Sequence, residues 1–244
     1  MNDVAAKLFQ TQTVTDANGA VYPLHSHTSL EQCEFLQGII KEINAKTSLE
    51  VGLAYGVSAL FICEALQKQE GARHYVIDPR QSFWNEVGLK NLMDAGYEDL
   101  VDFRRDYSHN VLPELHRSGV TLDFAYVDTT KLFDVVLVDV YYIIRMLRLG
   151  GILVLDDCSF PSLRKLVRFL AVHPSMRVFK SFGASRVRWQ VKVLSPLCKM
   201  LPKASGVFAP DIANPDAALK VNARCIAFQK ISEDSREWNW FAEF

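Results

Sequence analysis

The 244-residue sequence has no Cys-x-x-Cys pair, no internal repeat, no low-complexity tract and no apolar run of membrane-spanning length. Its five cysteines, Cys33, Cys63, Cys158, Cys198 and Cys225, are odd in number and scattered. That excludes a disulfide framework or a paired-cysteine zinc site, and reduced thiols at small core positions in a cytosol are expected. Charge of one sign is not massed either: 27 Lys and Arg stand against 28 Asp and Glu. No electrostatic footprint for nucleic acid results. The opening Met1-Asn-Asp-Val-Ala-Ala-Lys7 lacks the basic-then-apolar build of a signal peptide, so a cytoplasmic protein with no membrane partner is expected.

What the sequence has in quantity is core. With 49% hydrophobic residues, it can fill one substantial α/β domain over residues 1–244. Residues 1–27 read as a weakly patterned lead-in with a turn at Asp16-Ala-Asn-Gly19. His25 and His27, at i and i+2 with no third ligand nearby, read as ordinary loop residues. Ser29-Leu-Glu-Gln32 has the form of a capping box, opening a helix with Cys33, Leu36, Ile39, Ile40 and Ile43 on one stripe.

The most informative stretch is Ser48-Leu-Glu-Val-Gly-Leu-Ala-Tyr-Gly-Val-Ser-Ala59. A short apolar strand loosens into Gly52 and Gly56, then restarts as a helix through Leu60, Phe61, Cys63 and Leu66. A strand that turns on glycines into a helix brings bare N–H groups and a helix N-terminus together, which suits a polar or anionic cofactor. The acid at Glu50 would repel a pyrophosphate. Nor does Gly52-x-x-x-Gly56 with Ala54 make G-x-G-x-x-G, which counts against a nicotinamide dinucleotide.

His74 to Asp78 predicts a second buried strand, completing a βαβ unit of a parallel sheet. Asp78 then lies where a nucleoside's ribose hydroxyls would be. A helix over 83–95, a strand over 100–104 and a short helix interrupted by Pro113 follow. The turn Asp106-Tyr-Ser-His109 sits where an adenine ring could rest. Both 122–128 and 133–139 look like strands ending in an acid, yet the four residues between them are too few for a parallel crossover. The first is taken as the strand and 130–148 as a helix, against the poor helix propensity of its β-branched residues. Strands over 150–157 and 176–180, a helix over 160–172 and a last strand over 223–229 complete the pattern. Residues 182–221, basic and broken by prolines, read as a lid or insertion. The aromatic tail 238–244 wants burial, in this chain or in a homodimer.

Acids thus end strand after strand: Glu50, Asp78, Asp128, then Asp156 and Asp157. Glu50-x-Gly-x-x-x-Gly-x-Ser-Ala59, Asp78, Asp128-Thr-Thr-Lys131 and Gly-Gly-x-x-x-x-Asp-Asp157 resemble the class I S-adenosylmethionine-dependent methyltransferases, and most of all the catechol and caffeoyl-CoA O-methyltransferases. The resemblance covers about residues 28–181. It implies an α/β, doubly wound, mostly parallel seven-stranded sheet (a Rossmann-like methyltransferase fold) with an antiparallel last strand. It also implies cofactor contacts from Glu50, Gly52, Ala54, Tyr55, Gly56, Ser58, Asp78, Tyr107, Ser108 and Asp128. A divalent cation such as Mg²⁺ would be held by Asp128, Asp156 and Asp157, with Lys131 and Asp128 as the catalytic groups.

The expectation is therefore methyl transfer from S-adenosylmethionine to the hydroxyl of a small, catechol-like diol, assisted by the metal. Asp157 stands where the family has asparagine. A metal-independent methyltransferase for a sugar, amine or other polar or anionic acceptor is the alternative. A dinucleotide binder and a non-catalytic domain of the same fold stand behind it.

Overall fold

The computed structural model describes residues 1–184 and 215–244. Seven strands form one sheet in the order β5-β4-β3-β6-β7-β9-β8. Along the chain these are β3 (Thr47–Val51), β4 (Arg73–Ile77), β5 (Val101–Arg104), β6 (Leu122–Val127), β7 (Leu147–Leu155), β8 (Met176–Ala184) and β9 (Ala223–Lys230). The first five pair in parallel, and β9 runs antiparallel between β7 and β8. This is the expected sheet of the class I methyltransferase fold.

Alternation along the strands assigns the two faces. Leu49, Val51, Ala125 and Val127 pack beneath α5 (Ser108–Arg117), α6 (Phe133–Met146) and α7 (Pro161–Val172). Phe124, Tyr126, Ile152 and Val154 pack on the other side with Leu36 and Ile39 of α2 (Leu30–Glu42) and Ile62 and Leu66 of α3 (Val57–Leu66). Nine of the ten residues of α3 are buried, because the N-terminal helix, α2, α4 (Val87–Asp94) and the sheet surround it.

Several elements depart from the sequence reading. The lead-in is ordered: α1 (Asp3–Thr11) packs against α3, and β1 (Thr13–Thr15) and β2 (Val21–Pro23) form a hairpin around the Asp16 turn. Asp16 closes that turn by accepting from the N–H groups of Asn18 and Ala20 at 2.9 and 3.0 Å. The helix placed over 83–95 is a 3-10 turn (Gln81–Trp84) followed by α4, broken by Asn85 and Glu86 at φ 51° and 59°. Pro113 does not interrupt α5; it lies inside the helix, whose face carries buried Val111, Leu112 and Leu115. That burial outweighs one missing backbone bond.

The helix chosen over 130–148 is α6, shorter at both ends. Val136, Val140 and Ile143 are buried on the sheet, so packing overrides their weak helix propensity. Strand β8 runs to residue 184, taking in the first residues of the segment expected to be a lid. Arg186, Arg188, Lys192, Lys199 and Lys203, invoked for that lid, and Cys198 lie outside the described residues, whereas the other four cysteines are buried and unpaired. Among the described residues no helix is long and apolar enough to cross a membrane.

Candidate active site

The order of the sheet reverses between β3 and β6, with β4 on one side of β3 and β6 on the other. In such sheets the crevice outside the strands' carboxyl ends at that reversal takes ligands. Residues 52–56 cross this crevice. Gly52 has φ +96°, and a Cβ there would lie 2.1 Å from the Asp128 carbonyl oxygen. The main chains after β3 and β6 therefore touch, and only glycine permits it. Ala54 also takes a positive φ, 47°.

The loop is fastened from β4 and α4. Asp78 accepts on Oδ2 from the backbone N–H of Leu53 (3.0 Å) and Ala54 (3.1 Å) and from Gln81 Nε2 (2.9 Å). Its Oδ1 accepts from the Arg80 N–H at 2.7 Å. The Ala54 and Tyr55 carbonyls accept from Gln81 Nε2 (3.0 Å) and Asn91 Nδ2 (2.9 Å). Asp78, expected to face the ribose, is thus largely committed to bracing the glycine loop. Oδ1 alone keeps ready acceptor capacity for a hydroxyl.

At the end of the loop Gly56 caps α3 without a side-chain hydrogen bond. The first-turn N–H groups of α3 have no intrahelical partners and point toward the crevice. A small polar pocket of about 30 Å³, open to solvent, lies here, lined by Ser26, His27, Thr28, residues 52–55, Val57, Ser58 and Asp128. His27 Nδ1 is buried there with no partner among the described residues. An uncapped helix start, a glycine loop and an orphaned ring nitrogen around one cavity fit the charged amino-acid end of S-adenosylmethionine.

Glu50 does not open onto that cavity. It is fully buried, accepting from Ser58 Oγ on Oε1, with His74 Nε2 3.2 Å from Oε2. His74 Nδ1 in turn meets Ser48 Oγ at 2.7 Å. The acid therefore anchors the start of α3 through Ser58. Tyr55 is buried too, its ring edge-on to Trp84 at 4.8 Å and its hydroxyl 3.1 Å from His25 Nε2. In the turn expected to hold adenine, Ser108 is buried at the start of α5, while Tyr107 is 51% exposed and stacks on His109.

The acids of β6 and β7 meet at the same rim. Lys131 Nζ lies 2.9 Å from Asp128 Oδ1 and 2.9 Å from Asp157 Oδ2. Burial works to lower the Lys131 pKa, but Asp128 and Asp157 outweigh it and hold the ammonium above the ordinary lysine value. Burial pushes the Asp128 carboxyl above its usual range, with Lys131 opposing and Asp156 adding to the rise. A lysine donating to two carboxylates is a cation in place, not a base with a lone pair to offer.

Asp156 turns inward. It is 2% exposed, and its Oδ2 accepts from Gln32 Nε2 (2.7 Å) and Tyr126 OH (3.1 Å). Its Oδ1 accepts from the Asp157 N–H at 2.7 Å. Arg224 Nε, on β9, stands 3.7 Å from Asp156 and 3.8 Å from Asp157. Among the described residues no group of three His, Cys, Asp or Glu side chains is placed to hold a metal ion. A hard dication needs several oxygens converging on one point, and a lysine ammonium and an arginine guanidinium stand among these instead. As arranged, the three carboxylates do not fit such an ion.

His74 and Arg224 were not singled out in the sequence, and Gln32 was read only as a member of the capping box. Ser29 does cap α2 by accepting from the Gln32 N–H at 3.3 Å, but the Gln32 side chain goes to Asp156 instead of back to the helix start. His74 carried one signal, a lone imidazole inside an apolar strand.

Residues 49–158 match the family model described as a methyltransferase domain. Over 153 residues the chain is 29% identical to caffeoyl-CoA O-methyltransferase 1 of Eucalyptus globulus, covering 58% of this chain and 60% of that one. Over 138 residues it is 30% identical to caffeoyl-CoA O-methyltransferase 1 of Arabidopsis thaliana, covering 53% and 49%. The chain thus spans half to three fifths of the length of these relatives. Among solved structures it is similar to the O-methyltransferase TomG of Streptomyces achromogenes in complex with S-adenosylmethionine. That likeness has a TM-score of 0.65 at 16% identity, over 95% of this chain and 91% of that one. An O-methyltransferase of Bacillus cereus in complex with S-adenosylhomocysteine gives 0.61 at 18%, over 73% and 83%. These two structures share its fold.

Proposed function

We propose, from the match of residues 49–158 to a methyltransferase-domain model and the sheet around it, that the protein is an S-adenosylmethionine-dependent O-methyltransferase acting on a small molecule. The observation that carries this reading is the pocket between the uncapped start of α3 and Asp128, where unpartnered helix N–H groups and an acid meet.

The cofactor supplies an electrophilic methyl group on a sulfonium. The first-turn N–H groups of α3 and the 52–56 loop hold its carboxylate. One ribose hydroxyl is within the capacity of Asp78 Oδ1, and Ser108 and Tyr107 bound the adenine side. Asp128, at the edge of the cavity, receives the proton of the acceptor hydroxyl as the oxygen takes the methyl. Lys131, donating to Asp128 Oδ1 at 2.9 Å, fixes the carboxylate's orientation. Beyond this the contribution is in-line positioning.

A metal-assisted diol reaction is the reading that the sequence resemblance favours, since three acids follow adjoining strands. The lysine and arginine among those acids favour the metal-independent form. The test is transfer of labelled methyl from S-adenosylmethionine across a panel of aromatic diols, monophenols, sugars and amines. Methylation at oxygen is expected. Methylation at nitrogen alone would overturn the assignment of the acceptor atom.

A further inference from the structure

We infer that Lys131 and Arg224 do together, at the ends of β6 and β7, the charge-balancing work that a divalent ion would do. Three carboxylates, Asp128, Asp156 and Asp157, lie within reach of one another there. Left unopposed in a partly buried site they would repel strongly. Two positive charges, the number a dication brings, stand within 4 Å of them: Lys131 Nζ at 2.9 Å from both Asp128 and Asp157, Arg224 Nε at 3.7 and 3.8 Å from Asp156 and Asp157.

The framework fixes the backbone from which both cations extend. Lys131 is tied down at its own carbonyl, which accepts from Ser162 Oγ at 2.6 Å. Arg224 sits on the antiparallel strand beside β7, and its carbonyl accepts from the Cys158 N–H at 2.7 Å, fastening the 156–158 turn to β9. Asp157 takes a left-handed backbone, φ 53°, which sends its carboxylate toward Lys131 and Arg224. Meanwhile the oxygens of Asp156 are satisfied by Gln32, Tyr126 and the Asp157 N–H. Each acid has a partner before any ion arrives.

Arg224 is accordingly a positioning residue: it acts through Asp156 and Asp157, which with Lys131 set the Asp128 carboxylate. This second part rests on the proposed methyl transfer, and its consequence concerns the acceptor. Chelation by a metal selects two adjacent hydroxyls, whereas a site organised by fixed cations needs only one hydroxyl within reach of Asp128. Single-hydroxyl acceptors should serve as well as diols.

The decisive experiment does not depend on turnover. Mn²⁺ is titrated by electron paramagnetic resonance into the full-length wild type, Lys131→Met and Lys131→Gln, each checked for folding by circular dichroism and each with S-adenosylhomocysteine present. The wild type should bind no Mn²⁺ saturably below millimolar concentration, and both lysine variants should bind at least tenfold more tightly. Stoichiometric micromolar binding by the wild type, or no gain in either folded variant, would overturn the proposal. Once an acceptor is in hand, Arg224→Ala should lower kcat at least tenfold with S-adenosylhomocysteine affinity unchanged, and Arg224→Lys should restore most of it. Equal kcat values in wild type and Arg224→Ala would remove Arg224 from the account while leaving the methyl-transfer reading intact.

Discussion

The carbonyl oxygen of Asp128 occupies the space that a side chain at Gly52 would need, 2.1 Å from where its Cβ would stand. The glycine motif after β3 and the acid motif after β6 are therefore one structural unit. Gly52→Ala must push the two main chains apart and adopt φ near +96°. We predict a loss of about 3 kcal/mol or more in stability, together with loss of cofactor binding. Chemical denaturation and calorimetry on the same preparation check both.

Asp78 accepts four hydrogen bonds, two from the glycine loop itself. Asp78→Ala leaves buried N–H groups unsatisfied at a cost of about 1–3 kcal/mol each. The variant should lose roughly 3–5 kcal/mol in total, and S-adenosylhomocysteine affinity should fall with it. Asp78→Asn, which retains one acceptor oxygen, should lose about half as much. If Asp78→Ala weakened the cofactor with no change in denaturation midpoint, the bracing role would be wrong and a direct ribose contact favoured.

Asp139 on α6 is fully buried, with Ser108 and His109 only partly offsetting the burial of its carboxyl. Burial pushes its pKa up to about 6, against an ordinary 3.8. The folded state then holds the proton more tightly than the unfolded one between these values. Its contribution to stability is present below about pH 4 and is lost as pH rises through about 6. Asp139→Asn should therefore stabilise the protein at pH 8 by up to about 3 kcal/mol and scarcely at pH 4. Melting curves of the two proteins across that range decide the matter; an equal offset at every pH would contradict it.

His173 shows the opposite dependence. Burial, with Arg236 adding to it, pushes its pKa down to about 4 from 6.5, and Nδ1 accepts from the Ser175 N–H at 3.2 Å. Here the unfolded state binds the proton more tightly. The associated stability is complete above pH 6.5 and is lost as pH falls toward 4. His173→Gln should flatten the acid side of the stability profile, measured by urea denaturation from pH 4 to 7.

The parallel centre of the sheet was legible because β3, β4, β6 and β7 carry apolar runs closed by an acid or a glycine, and because a crossover helix has a minimum length. That constraint selected Leu122–Val127 over 133–139. Propensity alone favoured a strand at both. Of the lead-in only the Asp16–Gly19 turn was legible: α1 and the strands β1 and β2 are short, and α1 is held by contacts with α3 that no periodicity announces.

At the site, the acids were visible as residue types after strands, but the directions of their side chains were not. Glu50 and Asp156 face inward because Ser58, within the glycine motif, and His74, Gln32 and Tyr126, distant in sequence, complete their hydrogen bonds there. The spacing Asp128-x-x-Lys131 placed a lysine beside an acid. Only the fold showed Asp157 on its other side, with Arg224 arriving from a strand almost seventy residues further on.

The account stands most directly on cofactor choice, which calorimetric titration of the full-length protein with S-adenosylhomocysteine and, separately, with NAD measures. Saturable binding of S-adenosylhomocysteine near one per chain, abolished in Gly52→Ala and matched by no heat from NAD, is the predicted result. Saturable binding of NAD with no response to S-adenosylhomocysteine would contradict it.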